Sequence, residues 1–354
     1  MQSAERAALW IIATGIIVAG LFFLRGALTQ FALALLLWLA IDGLAEMIDR
    51  RIPFTPRALA LPIALVLILG LTALVGWVVV RNISAIAADA PAYETRLNAI
   101  LAQAQAALGI PGQAATVENL LARVDPGRLA TELGAGLQNI ASDAIFILIY
   151  LGFLFPAAST MSIKLDLIFP SPVQRESARD VIARIRLSME RYLLTQTVIS
   201  VIITALTYVT LRIIGLDNAL FWSFLIFFLN YVPTIGSIVA VVLTTAVALV
   251  QFPTLGPVAG VAIGVSVWQF VIGNFLQPRM TGESLNLSAV VVLLALAIWG
   301  TIWGIAGAFL AAPLTVMIMI VLAQFPSTRW IAILLSADGK PTPHNRAVDK
   351  SNDD

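Results

Sequence analysis

The 354-residue chain has no cysteine and a single histidine, His344, close to its C-terminal end. Without cysteine there is no disulfide, no thiolate nucleophile and no cysteine-ligated zinc. One histidine in a polar tail excludes both a histidine-built metal site and a Ser-His-Asp triad in the apolar body, so no cofactor and no metal is expected. Charge is scarce too: 12% of residues are charged, about half the share usual in soluble domains. Twenty-one Lys and Arg against twenty Asp and Glu leave a net charge of +1, which gives no field to attract nucleic acid. A GxxxxGK[ST] phosphate loop is missing, which excludes self-powered transport. Apolar residues, by contrast, make up 60% of the chain. At about 20 residues per membrane crossing, the chain reads as an all-α polytopic membrane protein of about eight spans, and not as an enzyme.

Five uncharged runs have the length of a crossing: 7–24, 26–41, 58–80, 144–163 and 192–211. The first lies between Arg6 and Arg25 with no small-residue cleavage site behind it, so it is expected to be a retained helix rather than a signal peptide. Arg25 and Gly26 alone separate it from the second, which predicts a tight helical hairpin. After Asp217 no charge occurs until Arg279, a stretch too long for one helix. It divides at the turn-forming residues 251–257 into runs at 219–250 and 258–276. A last uncharged stretch covers 284–328.

The basic residues orient these spans. Arg50, Arg51 and Arg57 in one connection, and six basic residues over 164–191, place both on the cytoplasmic side. The segment 81–143, with four basic and six acidic residues, belongs outside. Eight crossings then leave both termini in the cytoplasm and put Arg279 and Glu283 at the external mouth, spaced as helical neighbours or a loop ion pair. The resulting organisation is an N-terminal three-helix region over 1–80, an extracytoplasmic helical insert over 81–143, a transport core over 144–330 and a cytoplasmic tail over 331–354. In the insert, Leu97, Ile100, Ala104 and Leu108 share a helical face, 109–112 makes a turn, and Pro126 opens a helix that runs into the fourth span. The insert is either a cap packed on the membrane region or a solute vestibule. Over 171–191 the residues Ala178, Val181, Ile182, Ile185 and Met189 share one face. This predicts an amphipathic helix lying in the cytoplasmic interface, either an anchor for the fifth span or a gate.

Two interruptions carry the most information, because unwound backbone in a membrane must be buried in protein or face a watery cavity. One is Asn230, Tyr231, Val232, Pro233, Thr234, Ile235 and Gly236; the other is 300–307, with Gly304 and Gly307. Each leaves an apolar segment of about 16 Å, too short to cross alone. A pair of broken or re-entrant segments in the C-terminal half is a pointer to a transport site.

The residues at 230–236, the run Asn274, Phe275, Leu276, Gln277, Pro278, Arg279, Met280, Thr281, Gly282, and Trp303-Gly304-Ile305-Ala306-Gly307 leading to Ala311-Ala312-Pro313-Leu314 resemble the autoinducer-2 exporter-like transporter family. The specific motifs lie within 220–320, and the span layout is similar along nearly the whole chain. Trp330 to Leu335 is similar to the tail of the family's quorum-signal exporters. Where many members carry a His-Pro pair, this chain has Asn286-Leu287-Ser288. The resemblance implies a multi-pass protein of the bacterial inner membrane that exports a small signalling molecule such as autoinducer-2, with sodium/proton exchange in a minority of members.

The residue chemistry suits a small polar solute. Asn230, Tyr231, Thr234, Gln269, Asn274 and Gln277 are polar and uncharged, and Pro233, Gly236, Pro278, Arg279, Glu283, Gly304, Gly307 and Pro313 complete the expected pathway. The two breaks are expected to face one another across it. An antiporter needs a carboxylate at membrane depth, whereas the acidic candidates Asp42, Asp143, Asp166, Asp217 and Glu283 all fall at span edges; a non-transporting scaffold is the third reading. The partners expected are the solute and the lipid bilayer. A homo-oligomer is also compatible with the small residues Gly260 and Gly264, which permit close helix packing within or between chains.

Overall fold

The computed structural model describes residues 2–51, 126–281 and 286–341, together with 66, 70, 77, 81–82, 95–96, 98–100, 102 and 105. Most of the third expected span, the turn at 109–112 and Glu283 lie outside the described residues. The described chain is built from α1 Gln2–Phe23, α2 Arg25–Arg51, α3 Pro126–Ser159, α4 Met161–Ile168, α5 Pro172–Ile214, α6 Ala219–Leu229, α7 Ile235–Gln251 and α8 Leu255–Val271. A π-helical turn, Ile272–Leu276, continues α8 into α9 Gln277–Thr281, and α10 Ala289–Leu322 and α11 Arg329–Leu335 follow. Helices are the form in which an apolar segment satisfies its own backbone polar groups away from water. Among the described residues, five stretches are long and apolar enough to cross a membrane: Arg25–Ala45, Ser142–Ser159, Pro172–Ile214, Leu255–Met280 and Ala289–Leu322. The protein is therefore a helical membrane protein.

The chain forms two compact units. Unit one comprises Met1–Leu61, Asp143–Thr195 and Met280–Asp354; unit two comprises Pro62–Ser142 and Gln196–Arg279. The core of unit one is a cluster of Ala32, Leu36, Leu39, Met189, Leu310, Val316 and Ile320. The helix expected over 171–191 is the first part of one uninterrupted helix, 172–214, that continues into the fifth span. Val181 and Ile185 pack against this core, to which Met189 belongs, while Ile182 on the same face is exposed. The arginines of this helix are engaged as well. Arg179 pairs with Asp166 of α4 at 2.7 Å, and Arg186 pairs with Asp42 of α2 and, at 2.7 Å, with Glu190.

Candidate functional site

Both interruptions anticipated in the C-terminal half are sharp reversals. In unit two, α6 has 11 residues and α7 has 17, and the link between them is a tight turn at Pro233, Thr234 and Ile235. Ile235 N–H donates to the carbonyl of Pro233 at 2.7 Å, across a Thr234 with φ 64° and ψ −54°. That geometry is a γ-turn of the strained, positive-φ kind, held by a β-branched residue. Two residues on, Gly236 packs against the end of α6 so closely that a Cβ there would lie 1.8 Å from the Leu229 carbonyl oxygen. Pro233 has no N–H with which to continue α6, and Gly236 has no side chain to hold the returning strand of chain away. These two residues make the hairpin possible.

The hairpin is clasped at its open end. Gln251, the last residue of α7, donates from Nε2 to the Gly215 carbonyl at 2.9 Å and accepts from Asp217 N–H at 2.8 Å. The two arms therefore begin and end at one level. Arg96 reaches the same end, donating to the carbonyls of Phe252 and Pro253 at 3.1 and 3.0 Å. The residues 219–250, expected to be one interrupted passage, thus form a hairpin whose two ends meet. The closed end is pinned to α5: Gln196 Nε2 donates to the Asn230 carbonyl at 2.6 Å, and Asn230 Nδ2 donates to Ser200 Oγ at 2.9 Å. The Tyr231 hydroxyl shares a 2.7 Å hydrogen bond with Thr197 Oγ1.

Relief of the turn is measurable. A threonine at positive φ costs about 1–3 kcal/mol, and glycine adopts that conformation without strain. Thr234→Gly is expected to raise the melting temperature, since the relief of about 2 kcal/mol exceeds the entropic penalty of about 1 kcal/mol for an added glycine. A lower melting temperature for the purified variant would show that Thr234 is not strained.

In unit one the reversal falls within α10. Gly304 has φ 65° and ψ −143°, a region essentially restricted to glycine. A Cβ on Gly307 would lie 1.9 Å from the Trp299 carbonyl oxygen and 2.8 Å from Trp303 Cβ. In a straight helix, residues eight apart are separated by about 12 Å along the axis, so residues 305–322 turn back on residues 289–303. The Trp299 and Trp303 rings pack at 4.9 Å beside the turn, and Trp303 Nε1 donates to the Leu21 carbonyl at 3.1 Å. Pro313 is buried in the returning arm.

The residues that lead into this second hairpin are tied to the end of α11. Leu287 bridges Ser336 in antiparallel fashion, with Ser288 N–H on the Leu335 carbonyl and Ala337 N–H on the Asn286 carbonyl, both at 3.0 Å. Hydrogen bonds from the Lys340 backbone N–H and from Asn286 Nδ2 to Asp338, each 2.8 Å, hold that carboxyl below its usual pKa.

The expected pathway residues therefore fall in two groups. Asn230, Tyr231, Pro233, Thr234, Gly236, Gln269, Asn274, Gln277, Pro278 and Arg279 lie in unit two, and Gly304, Gly307 and Pro313 in unit one. Asn230 and Tyr231 use their polar groups to hold the turn on α5, so their first role is structural. Asn274 Nδ2 donates to the Phe270 carbonyl at 2.9 Å within the π-helical turn, an irregularity frequent at functional sites. Gln269 is buried, and its Nε2 has no partner among the described residues. The α5 residues that receive the turn, Gln196, Thr197 and Ser200, were not anticipated. Polar residues every third or fourth position along an otherwise apolar span were the available signal.

A model of the AI-2E family of transporters matches residues 11–327 of the chain. The AI-2 transport protein TqsA of Escherichia coli K12 is 30% identical over 325 residues, covering 91% of this chain and 92% of that protein. A putative transport protein of Escherichia coli K12, YhhT, is 27% identical over 329 residues, 92% of each chain. A putative transport protein of Haemophilus influenzae is 31% identical over 224 residues, 62% of this chain and 64% of its own.

Proposed function

The chain belongs to the AI-2E family of transporters, and from that premise we propose that it exports a small, neutral, hydrogen-bonding signalling solute such as autoinducer-2. The observation that carries the reading is the uncharged hairpin of unit two, clasped by Gln251 at one end and turned at Pro233 at the other. No Asp, Glu, Lys or Arg occurs over 218–278. A solute handled there meets hydroxyls, amides and backbone groups but no counter-ion, which suits a neutral ligand. The same lack of a carboxylate disfavours sodium/proton exchange. The direct test is counter-flow of autoinducer-2 in proteoliposomes of the purified chain, with and without an ion gradient. Saturable exchange is expected; no exchange above empty liposomes rejects the reading.

The clasp supports a different membrane topology. If residues 219–251 enter and leave on one face, and residues 289–322, turned at Gly304, do likewise, both are re-entrant hairpins. Six crossings then remain, both termini stay in the cytoplasm, and Arg279 ends the last crossing on the cytoplasmic side instead of at the external mouth. Because the chain has no cysteine, single-cysteine labelling reads this cleanly. Thr254→Cys and Ala102→Cys should label together from outside intact cells, and Glu176→Cys only after permeabilisation. Thr254→Cys labelling with Glu176→Cys would restore a full crossing at 219–250.

A further inference from the structure

We infer that unit two contains, below the hairpin turn, a second polar layer that takes a neutral hydroxylated solute, formed by Thr204 and Thr207 of α5, Thr245 of α7 and Gln269 of α8. The inference rests on the transport reading and adds residues and a ligand class to it. Each of these side chains has a polar atom shut off from solvent with no hydrogen-bond partner among the described residues. Thr207 is 0% exposed and Gln269 8%.

Other hydroxyls in the membrane helices behave differently. Thr210, Ser223, Thr244, Thr301 and Thr315 all donate to the carbonyl four residues back, at 2.7 to 2.9 Å. That is the usual way for a serine or threonine to satisfy itself in a helix. Thr204, Thr207 and Thr245 do not take it, although a buried polar group without a partner is costly and rare.

The four groups fall within a band about 8 Å deep. The Gln251 clasp ties the end of α7 to Gly215 at the end of α5, and this provides a common origin. At 1.5 Å per residue, Thr245 lies about 9 Å, Thr207 about 12 Å and Thr204 about 17 Å from it. Helix α8 runs antiparallel to α5, since Gly260 packs on Ile214 and Gly264 on Thr210, and Trp268 Nε1 donates to Thr210 Oγ1 at 2.9 Å. Continuing that register puts Gln269 at about 15 Å. All four thus fall, on three helices of unit two, in the band from about 9 to 17 Å between the clasp and the turn.

The chemistry of the layer defines its ligand. No charged residue occurs over 192–211 or 218–278, so an ionised solute would sit there without a counter-charge. A metal ion would meet the amide hydrogens of Gln269. A neutral molecule with several hydroxyls can accept from Gln269 Nε2 and both donate to and accept from the threonines.

The native chain offers a clean assay because it has no cysteine. Thr207→Cys and, on another helix, Thr245→Cys are reconstituted in liposomes and treated with hydroxyethyl methanethiosulfonate, whose sulfur is attacked by a thiolate, the form a thiol takes where it reaches water, to give a mixed disulfide and methanesulfinate. Val209→Cys, on the exposed face of α5, is the control. Both layer positions should react and the control should not. Erythritol or xylitol at about ten times Kd should slow both reactions about tenfold, because only unoccupied protein reacts, whereas lactate and choline should give no protection.

Unreactive thiols at both folded positions would mean dry packing and overturn the inference. Reaction without protection by either polyol would leave only water in the layer and overturn it equally. Protection by lactate or choline would reject the neutral class. Protection is read without transport, so the two proposals fail separately: protection without exchange keeps the site and removes the export reading, and exchange without protection does the reverse.

Discussion

Gly236→Ala and Gly307→Ala are each expected to prevent assembly of transport-competent protein. The reason is the identity of the obstructing atoms. At both positions a Cβ would fall within 2 Å of a backbone carbonyl oxygen, that of Leu229 or of Trp299. A crowded side chain can change rotamer, but a carbonyl that ends a helical arm moves only if the arm moves. Overpacking against yielding neighbours costs about 1–3 kcal/mol, and these sites exceed that range because the hairpin must open before the methyl group fits. Gly256→Ala is the matched control, with nothing within 4 Å of its Cβ. We expect Gly256→Ala to melt with the native protein, and the two turn variants to be lost on size-exclusion chromatography or to melt far lower. Native melting and counter-flow in Gly236→Ala would show that the arms do not approach as described.

The sequence made the two reversals visible because breaking an apolar run leaves a local signature: a proline without an N–H at 233, and glycines at 236, 304 and 307. Their meaning was less accessible. That residues 219–250 return to their starting level depends on the amide of Gln251 meeting residues 215 and 217, a contact across 34 or more positions with no periodicity to reveal it. The face of Val181, Ile185 and Met189 was legible as apolar, but helical periodicity is the same whether the partner is lipid or protein. That Val181 and Ile185 pack against the core of Leu36, Leu310 and Ile320 is a contact no periodicity reveals. The polar residues at 230–231 were found as candidates and assigned to the solute, whereas Gln196, Thr197 and Ser200 use up much of their hydrogen-bonding capacity. A polar residue in an apolar segment announces that it needs a partner, without saying whether the partner is protein or cargo.

Unit one rests on a charge cluster whose removal should be the most damaging change outside the turns. Arg186 is shared by Asp42 and Glu190, whose side chains are only 15% and 13% exposed. The cluster joins α2 to α5 where Gly43 lets the Glu190 stem approach, a Cβ at that glycine lying 3.2 Å from Glu190 Cγ. Arg186→Leu would strip two poorly hydrated carboxylates of the cation they share. Loss of one partner from a buried pair costs about 3–5 kcal/mol, and since the arginine itself is 35% exposed the lower end, about 3 kcal/mol, is the expectation here. The penalty should arise from the stranded acids and not from lost packing, which a second variant separates. Adding Asp42→Asn and Glu190→Gln to Arg186→Leu should recover most of the lost melting temperature, since neutral amides tolerate the site that bare carboxylates do not. If the triple variant melts no higher than Arg186→Leu alone, the arginine stabilises unit one through its aliphatic stem, and the charge cluster contributes nothing of its own.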